Sequence, residues 1–256
     1  MLVSSRTFVR KLYSKRDISL TILPSSANVK SALLDWVIEY CTADSFVLDI
    51  GAGKDRSQID AFIQPRVLRL VGIDPSEDIL CNPSVHERYH TSLEKFAEET
   101  QEKFDVLFCV MVLEHVTNPD AFFSACRQLL KPGGMVFAVT PNIWHYFGLA
   151  TKITSSLKIN EWLLDRLIGK QAKEAYHFPT IYKVNSLRAI QDTLARTGFH
   201  DVEFSCFDNW REYRYVLPKQ LHWFPKVYSH GVYQFDLSHL MGRIMVRATV
   251  RGVEQL

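Results

Sequence analysis

The chain has 256 residues, of which 47% are hydrophobic and 23% are charged, and its formal net charge at pH 7 is +2. This composition is typical of a globular protein with one substantial core, and so small a net charge excludes a strongly basic nucleic-acid-binding protein. The sequence contains neither an apolar run of signal-peptide length near residue 1 nor the roughly 20 apolar residues of a membrane span. A cytoplasmic location is therefore expected.

The five cysteines are not spaced as metal ligands. An odd number of them, two inside apolar segments, predicts reduced thiols that serve as small apolar side chains; they are Cys41, Cys81, Cys109, Cys126 and Cys206. We find no metal-ligand cluster in the sequence and expect chemistry that needs no metal.

The first part of the chain divides into an arm and the start of a domain. Residues 1–24 are mixed and polar, and we predict an N-terminal arm there. From residue 25 to 256 we expect a single domain. It opens with a helix that Ser25 or Ser26 would cap and that carries apolar residues at helical spacing to about Tyr40.

Strand and helix patterns alternate through the next hundred residues. Helical patterns over residues 93–101 and 120–130 lie between apolar segments that read as buried strands, at 46–50, 67–73, 87–90, 104–112 and 135–140. Nearly continuous apolar strands that alternate with helices predict a parallel sheet with helices on both faces, an α/β fold.

The alternation is interrupted twice in the second half. Residues 141–184 form a first insert, followed by a predicted helix at 186–196 and a strand at 202–207. Residues 209–240 form a second insert, rich in aromatic and basic residues, before a last strand at 242–250.

The segment VLDIGAGKD, residues 47–55, is the first sign of a ligand. A strand that ends in Asp49 runs into a turn at Gly51 and Gly53, where a ligand can approach the backbone closely. In open α/β sheets ligands bind at the carboxyl ends of such strands. Arg56 stands where a dinucleotide fingerprint would have its third glycine, which argues against that class.

An acid follows about twenty residues later, at the end of the second strand. Asp74 is placed to accept hydrogen bonds from two ribose hydroxyls. The alternative role for Asp74 is that of a helix N-cap. Its spacing from Gly51 along the chain favours the role in ligand binding.

Four segments in this order carry a resemblance to a known family: VLDIGAG, VGIDPS, FDVLFCVMVLEHVTNP and LLKPGGMVFAVTPN. Together they resemble the class I S-adenosylmethionine-dependent methyltransferases, in particular the bacterial small-molecule type with an L-E-H-V motif. The resemblance covers about residues 25–207. It implies a Rossmann-like, seven-stranded, mostly parallel sheet with an antiparallel last strand, and helical and aromatic cap inserts.

The resemblance implies a donor site for S-adenosyl-L-methionine, with S-adenosyl-L-homocysteine as product. By position, Asp49 would lie near the methionine amino group, Gly51 and Gly53 beneath the methionine and ribose, and Asp74 at the ribose. The other implied positions are Pro75 at the adenine edge, Ser92 and Leu93 near adenine, Val110 at the methionine part, and His115 beside the cleft. Ser92 replaces a common acid, so the adenine N6 contact differs from that of the family.

The inserts are candidates for the acceptor site. In the first insert His145, His177 and Tyr182 are candidate catalytic residues, since histidine can remove a proton near neutral pH; the alternative is ordinary packing. Replacing His177 by Ala is expected to lower turnover more than donor binding. The second insert is either a second part of the acceptor pocket or a surface that meets a membrane or a lipid-linked substrate. The alternative is a dimer contact or a helix packed on the edge of the domain.

These observations predict transfer of a methyl group to O, N or C of a small-molecule, sugar-linked or lipid-linked acceptor, as in small-molecule or natural-product biosynthesis. The protein would act as a monomer or homodimer, without nucleic acid. Two alternatives stay open: a catalytically inactive methyltransferase-like binding or scaffold domain, and an NAD-dependent oxidoreductase.

Overall fold

The structure is a computed structural model that describes residues 10–15, 18–55, 58–156, 180–215, 217 and 219–251. Within these ranges nine strands form one sheet: β1 (Arg10–Lys15), β2 (Ile18–Ile22), β3 (Phe46–Ile50), β4 (Arg69–Asp74), β5 (Glu87–His90), β6 (Phe104–Val110), β7 (Leu130–Pro141), β8 (Phe199–Phe207) and β9 (Arg243–Val250). The α-helices are α1 (Val29–Tyr40), α2 (Asp60–Ile63), α3 (Leu93–Glu99), α4 (Pro119–Leu129), α5 (Tyr146–Ser156), α6 (Leu187–Arg196) and α7 (Trp223–Gln234).

The strand order is β1-β2-β8-β9-β7-β6-β3-β4-β5. Strands β3 to β7 are mutually parallel, and β9 is antiparallel to both β7 and β8. The predicted Rossmann-like α/β class, with its antiparallel last strand, is thereby confirmed. The chain runs from β3 outward to β5 and then returns to β6 on the other side of β3, so the order reverses between β3 and β6. A crevice at the carboxyl ends of these two strands is where such sheets bind ligands.

The sheet has two more strands than the seven that the resemblance implies. Part of the predicted N-terminal arm supplies them, because β2 lies parallel to β8 from the Ile18–Val202 pair to the Ile22–Cys206 pair. Backbone N–H and C=O groups of β8 would otherwise form an unpaired sheet edge. A short strand of the arm satisfies them.

Two apolar layers cover the sheet. Leu33 and Val37 of α1 pack with Phe108 and Phe137 on one face. Phe123 of α4, Leu194 of α6 and their neighbours pack on the other face. The strands between these layers are buried on both sides, which explains their nearly continuous apolar sequence.

Local chemistry sets the ends of the helices. The first helix begins at Val29, and Asn28 Oδ1 accepts a hydrogen bond from the Ser31 backbone N–H over 2.9 Å. The predicted caps at Ser25 and Ser26 are therefore wrong by two or three residues. Serine and asparagine both have a side-chain oxygen that can accept a hydrogen bond at an N-cap. The sequence therefore does not show which of these residues caps the helix.

The predicted thiols divide by burial. Cys109, Cys126 and Cys206 are buried, Cys41 is half-buried and Cys81 is exposed. All five are free, so the interpretation as buried apolar side chains holds for three. No helix within the described ranges is both long and apolar enough to cross a membrane.

Candidate active site

The glycine turn after β3 is built so that only glycine fits at its first position. Gly51 has a φ of +82°, and a Cβ there would lie 2.5 Å from Cγ2 of Val112. Its N–H donates to the carbonyl of Ile73 over 2.8 Å, which ties the turn to β4. Glycine adopts this left-handed backbone without steric penalty, and the close approach of Val112 leaves no room for a side chain.

Asp55 is the last residue of the turn that begins at Gly51. Its φ is +51°, a left-handed conformation that aspartate tolerates better than most residues. The two carboxylate oxygens accept from the backbone N–H groups of Asp60 (3.2 Å) and Ala61 (2.9 Å). Asp55 thus has a structural role, because its carboxylate accepts from two N–H groups at the start of the short helix α2.

Asp74 at the end of β4 faces the same turn. Its Oδ2 accepts from Gly53 N–H over 3.0 Å, and its Oδ1 accepts from Ser76 N–H over 2.7 Å. Burial raises the pKa of this carboxyl, and the hydrogen bonds from Ser76 and Gly53 oppose that shift. Each carboxylate oxygen keeps a second lone pair, which can accept from a ligand hydroxyl in the adjoining cavity.

Two adjoining cavities open at the carboxyl ends of the central strands. The larger has a volume of about 540 Å³ and the smaller about 310 Å³. Both are lined by Gly51, Asp74, Val110, Met111 and His115. Because these walls are shared, a single ligand can extend from one cavity into the other.

The structure brings all nine predicted donor residues to these cavities. The larger cavity is lined by Asp49, Gly51, Gly53, Asp74, Val110 and His115. Pro75, Ser92 and Leu93 line the smaller one. Ser92 Oγ accepts from Lys95 N–H over 3.3 Å and so caps α3, which leaves this hydroxyl a structural role as well as a place in the wall.

A pair of buried carboxyls stands behind the turn. Asp49 is 7% exposed and Asp60 is 0% exposed, and their side chains are hydrogen-bonded to each other. Burial raises the pKa of Asp49 well above its usual range, and the neighbouring Asp60 raises it further. Asn82 Nδ2 donates to Asp60 Oδ2 over 3.0 Å.

Glu114 also lines the larger cavity. Burial raises the pKa of its carboxyl, and Thr140 Oγ1 donates to its Oε2 over 3.4 Å. The carbonyl of Glu114 accepts from the N–H groups of Ile181 (2.7 Å) and Tyr182 (3.1 Å). These bonds hold Tyr182 at a φ of +56°, a strained conformation for a bulky residue of the kind that concentrates at functional sites.

Arg243 at the start of β9 also lines the larger cavity, together with Phe147, Thr180 and Tyr182. Its Nη2 lies 2.8 Å from Glu212 Oε2 in an ion pair. Its Nη1 donates to the hydroxyl of Tyr213 over 3.3 Å. Arg243 could not be predicted as a site residue, because nothing in the sequence connects the start of the last strand with a turn near residue 50.

His145, a predicted catalytic residue, is 1% exposed and does not belong to the lining of either cavity. Its Nε2 lies 3.1 Å from Asp208 Oδ1, and its ring packs against those of Tyr146, Tyr213 and Tyr228. Burial lowers the pKa of the imidazole, although Asp208 opposes this shift.

The other two predicted catalytic residues differ in position. Tyr182 lines the larger cavity, whereas His177 lies outside the described residues. In the part of the chain that the structure describes, no three His, Cys, Asp or Glu side chains come together as metal ligands.

Comparisons with known proteins agree with this geometry. The sequence model of a methyltransferase domain family matches residues 27–203. Over 118 residues the chain is 36% identical to a ubiquinone biosynthesis O-methyltransferase of Azoarcus sp. (strain BH72) and 34% identical to that of Pseudomonas entomophila (strain L48). Each alignment covers 43% of this chain and 50% of the relative. The chain therefore spans about half the length of these curated relatives.

Solved structures show the same fold at low sequence identity. An S-adenosylmethionine-dependent methyltransferase from Archaeoglobus fulgidus has a TM-score of 0.55 at 16% identity, covering 85% of this chain and 91% of that one. A phosphoethanolamine N-methyltransferase 2 from Haemonchus contortus, bound to S-adenosylhomocysteine, has a TM-score of 0.53 at 15% identity and covers 86% and 52%. The match to the family over residues 27–203, with this fold and this turn, shows that the chain belongs to the class I S-adenosylmethionine-dependent methyltransferases, with S-adenosylmethionine as cofactor.

Proposed function

We propose that the chain transfers a methyl group from S-adenosylmethionine to a hydroxyl oxygen of a small organic acceptor. The observation that carries this proposal is the make-up of the larger cavity. It is lined by predicted donor residues such as Gly51 and Asp74, and also by Glu114, Phe147 and Tyr182. Donor and acceptor therefore have adjoining places in a single cavity.

The charges of the larger cavity favour a cationic donor. Five carboxyl side chains line it, against the two cations Lys54 and Arg243. Lys54 Nζ pairs with Asp78 over 2.8 Å and Arg243 with Glu212 over 2.8 Å. With both cations neutralised, the remaining acids attract a sulfonium and an ammonium group. The same acids disfavour an acceptor with several negative charges.

S-adenosylmethionine supplies, when bound, a methyl group that is already activated by the sulfonium. The residues of the chain bind and orient it: Asp49 at the ammonium group, the turn at Gly51 and Gly53 beneath it, and Asp74 at the ribose. Such orientation of reacting groups accounts for a large share of a rate enhancement. Phe147 and Tyr182 would exclude water at the acceptor end.

We assign the removal of the acceptor proton to Glu114. Its carboxyl is 6% exposed, lines the larger cavity and has a pKa raised by burial, which brings a carboxylate base closer to neutral pH. Tyr182 remains a candidate for contact with the acceptor. His145, packed behind the wall, is better placed to support Tyr146 and Tyr213 than to touch the acceptor. His177, which lies outside the described residues, stays a predicted catalytic residue.

The choice of oxygen rests on the relatives that match this chain at 34–36% identity, which are named O-methyltransferases. A buried carboxylate base also fits a hydroxyl better than a carbon acceptor, because a phenolic proton needs only modest assistance to leave. Phe147 and Tyr182 both line the larger cavity, and walls that are partly aromatic and partly polar are usual in small-molecule sites.

The test compares the same Glu→Gln substitution at two positions, one in the cavity and one on the surface. Glu114→Gln keeps the size of the side chain and removes its ability to take a proton. Using methyl-labelled S-adenosylmethionine and catechol, we expect the variant to lose roughly 10²–10⁴-fold in kcat, while the dissociation constant of S-adenosylhomocysteine stays within about twofold. The control is Glu98→Gln, an exposed residue of α3, which should behave as wild type. Wild-type turnover by Glu114→Gln would remove Glu114 as the base.

A second proposal concerns a surface on the second insert. On α7 the side chains of Trp223 and Val227 are 61% and 60% exposed, and Phe224 is 38% exposed. Basic residues lie close by: Lys226 Nζ is 6.0 Å and Arg211 Cζ is 4.9 Å from the ring centre of Trp210. We propose that this face, the α7 face, rests on an anionic membrane surface and gives access to a lipid-linked acceptor.

A further inference from the structure

The carboxyl pair Asp49–Asp60 has a role that the donor site alone does not explain. Asp49 lines the larger cavity, whereas Asp60 lies behind it and is 0% exposed. Their side chains are in hydrogen-bond contact. Two carboxylates cannot hydrogen-bond to each other unless one of them carries a proton.

The neighbouring donors show which carboxyl holds the proton. Asn82 Nδ2 donates to Asp60 Oδ2 over 3.0 Å and also reaches the carbonyl of Ala52 at 3.4 Å. Asp60 Oδ1 is buried and has no amide, amine or hydroxyl hydrogen-bond partner among the described residues, so a protonated Asp49 carboxyl is the neighbouring group that could donate to it. Burial raises the pKa of Asp60 to about 6, but the Asn82 amide opposes that shift because it stabilises the ionised form. Asp49 receives no such hydrogen bond within the described residues and its pKa is raised well above its usual range, so the proton belongs on Asp49.

The other titratable groups around the pair point the same way. Asp55 in the turn and Asp74 on β4 both raise the pKa of Asp49. On β6, burial raises the pKa of the Cys109 thiol, which therefore stays neutral. His115 lines the larger cavity as well. The empty site thus concentrates negative charge around Asp49 and favours its protonated form.

We propose that Asp60 is a positioning residue for the donor: it keeps a proton on Asp49 in the empty site, and the ammonium group of the donor expels that proton on binding. The inference rests on the proposed function, which places the methionine ammonium beside Asp49. The proton passes to solvent, and both carboxylates are then ionised next to the cation. Donor affinity must therefore rise with pH wherever the free protein holds the proton and the complex does not.

An Asp60→Asn variant separates this account from a purely structural role. The amide oxygen of the new side chain can still accept from Asn82, and its NH₂ group can donate to Asp49. Asp49 is then ionised before the donor arrives, so binding needs no proton release. The substitution replaces one carboxylate oxygen of Asp60 by an NH₂ group and keeps the size and shape of the side chain.

The experiment is calorimetric titration with S-adenosylhomocysteine at pH 6.5, repeated in buffers of different ionisation enthalpy. At this pH the amino group of the ligand is already protonated, since α-amino groups titrate near pH 8. We expect wild type to release about one proton per ligand bound and Asp60→Asn to release almost none. Any contribution of His115 is common to both proteins. Asp192→Asn, on the exposed side of α6, is the matched control and should release as many protons as wild type.

The outcomes distinguish a failure of this inference from a failure of the proposed function. Wild type that binds S-adenosylhomocysteine without releasing a proton overturns this inference and leaves the proposed function standing. Proton release by Asp60→Asn equal to wild type overturns it too. No binding by wild type overturns both. If Asp60→Asn does not fold, the wild-type dissociation constant between pH 5.5 and 7.5 decides: a fall of up to about tenfold per pH unit is expected, and a constant value contradicts the inference.

Discussion

The backbone N–H of Gly53 donates to Oδ2 of Asp74 over 3.0 Å, so the glycine turn and the acid at the tip of β4 form one unit. This bond explains why the two features occur together in the sequence. The turn brings an N–H group to the carboxylate, and the carboxylate in turn holds the turn in shape. A ligand that contacts the turn therefore also lies next to the Asp74 carboxylate.

The first prediction concerns Asp74→Ala. The variant loses the acceptor of two proposed ribose hydrogen bonds, each with a charged partner and worth about 1.5–3 kcal/mol. We expect the dissociation constant of S-adenosylhomocysteine to rise at least ~10-fold, measured by calorimetry. Asp74→Asn, which retains one acceptor oxygen, should fall between wild type and alanine. Unchanged affinity in both variants would show that the ribose is held elsewhere.

The second prediction uses two glycines with nearly equal backbone angles. Gly51 has a φ of +82° and Gly133 a φ of +80°, but a Cβ at Gly133 would meet nothing within 4 Å. Gly133→Ala therefore measures left-handed strain alone, about 1–2 kcal/mol. Gly51→Ala adds the clash with Val112 and should be clearly less stable in urea unfolding. It should also lose donor binding, which Gly133→Ala should retain. Equal stability of the two variants would contradict the close packing of the turn.

The third prediction concerns the pH dependence of stability. Because the folded-state pKa of Asp49 is raised, its contribution to the free energy of unfolding is complete below its unfolded value, about 3.9. That contribution is lost as the pH rises through the folded value. Asp49→Asn can donate to Asp60 as the protonated acid does, and it never ionises. At pH 5 the unfolded pKa has been passed by about one unit, so urea unfolding should already show the variant about 1.5 kcal/mol more stable than wild type.

At pH 8 the same variant should be more stable than wild type. The difference should be about 1.4 kcal/mol for each pH unit above the unfolded pKa of Asp49, up to its folded pKa. A stability difference between variant and wild type that stays constant from pH 5 to pH 8 would show that Asp49 is ionised in the folded state throughout.

The fourth prediction concerns the α7 face. Trp223→Ser combined with Val227→Ser should abolish sedimentation with vesicles that contain phosphatidylglycerol, because the apolar contact is lost. The control is Leu68→Ser with Leu80→Ser, whose side chains are 59% and 58% exposed elsewhere on the surface. Wild type should bind phosphatidylglycerol vesicles better than pure phosphatidylcholine vesicles, and less so in high salt. Equal sedimentation of both double variants would leave the α7 face without a membrane role.

The donor half of the site could be predicted from the sequence because its chemistry is local. Gly51 and Gly53 lie within five residues of the strand end, and Asp74 ends the next strand of a regular alternation. The parallel arrangement of β3, β4 and β6 then places these positions at one edge of the sheet. Short-range patterns and one topological rule were sufficient.

The acceptor half depends on contacts between distant segments. Arg243 reaches the cavity from the last strand and is held there by Glu212, and neither residue belongs to a motif. His145 has the chemistry of a base, but its burial among Tyr146, Tyr213 and Tyr228 follows from how α5 and α7 pack. Helical periodicity carries no information about which helices meet. The pairing of β2 with β8 was missed for the same reason.

Titration of the chain with S-adenosylhomocysteine, with NAD as the matched nucleotide, tests the central claim most directly. Both ligands carry an adenosine, but only the first has the methionine part that Asp49 and the glycine turn are proposed to hold. We predict saturable binding of one S-adenosylhomocysteine per chain and no comparable binding of NAD. Absence of S-adenosylhomocysteine binding, or tighter binding of NAD, would contradict the account.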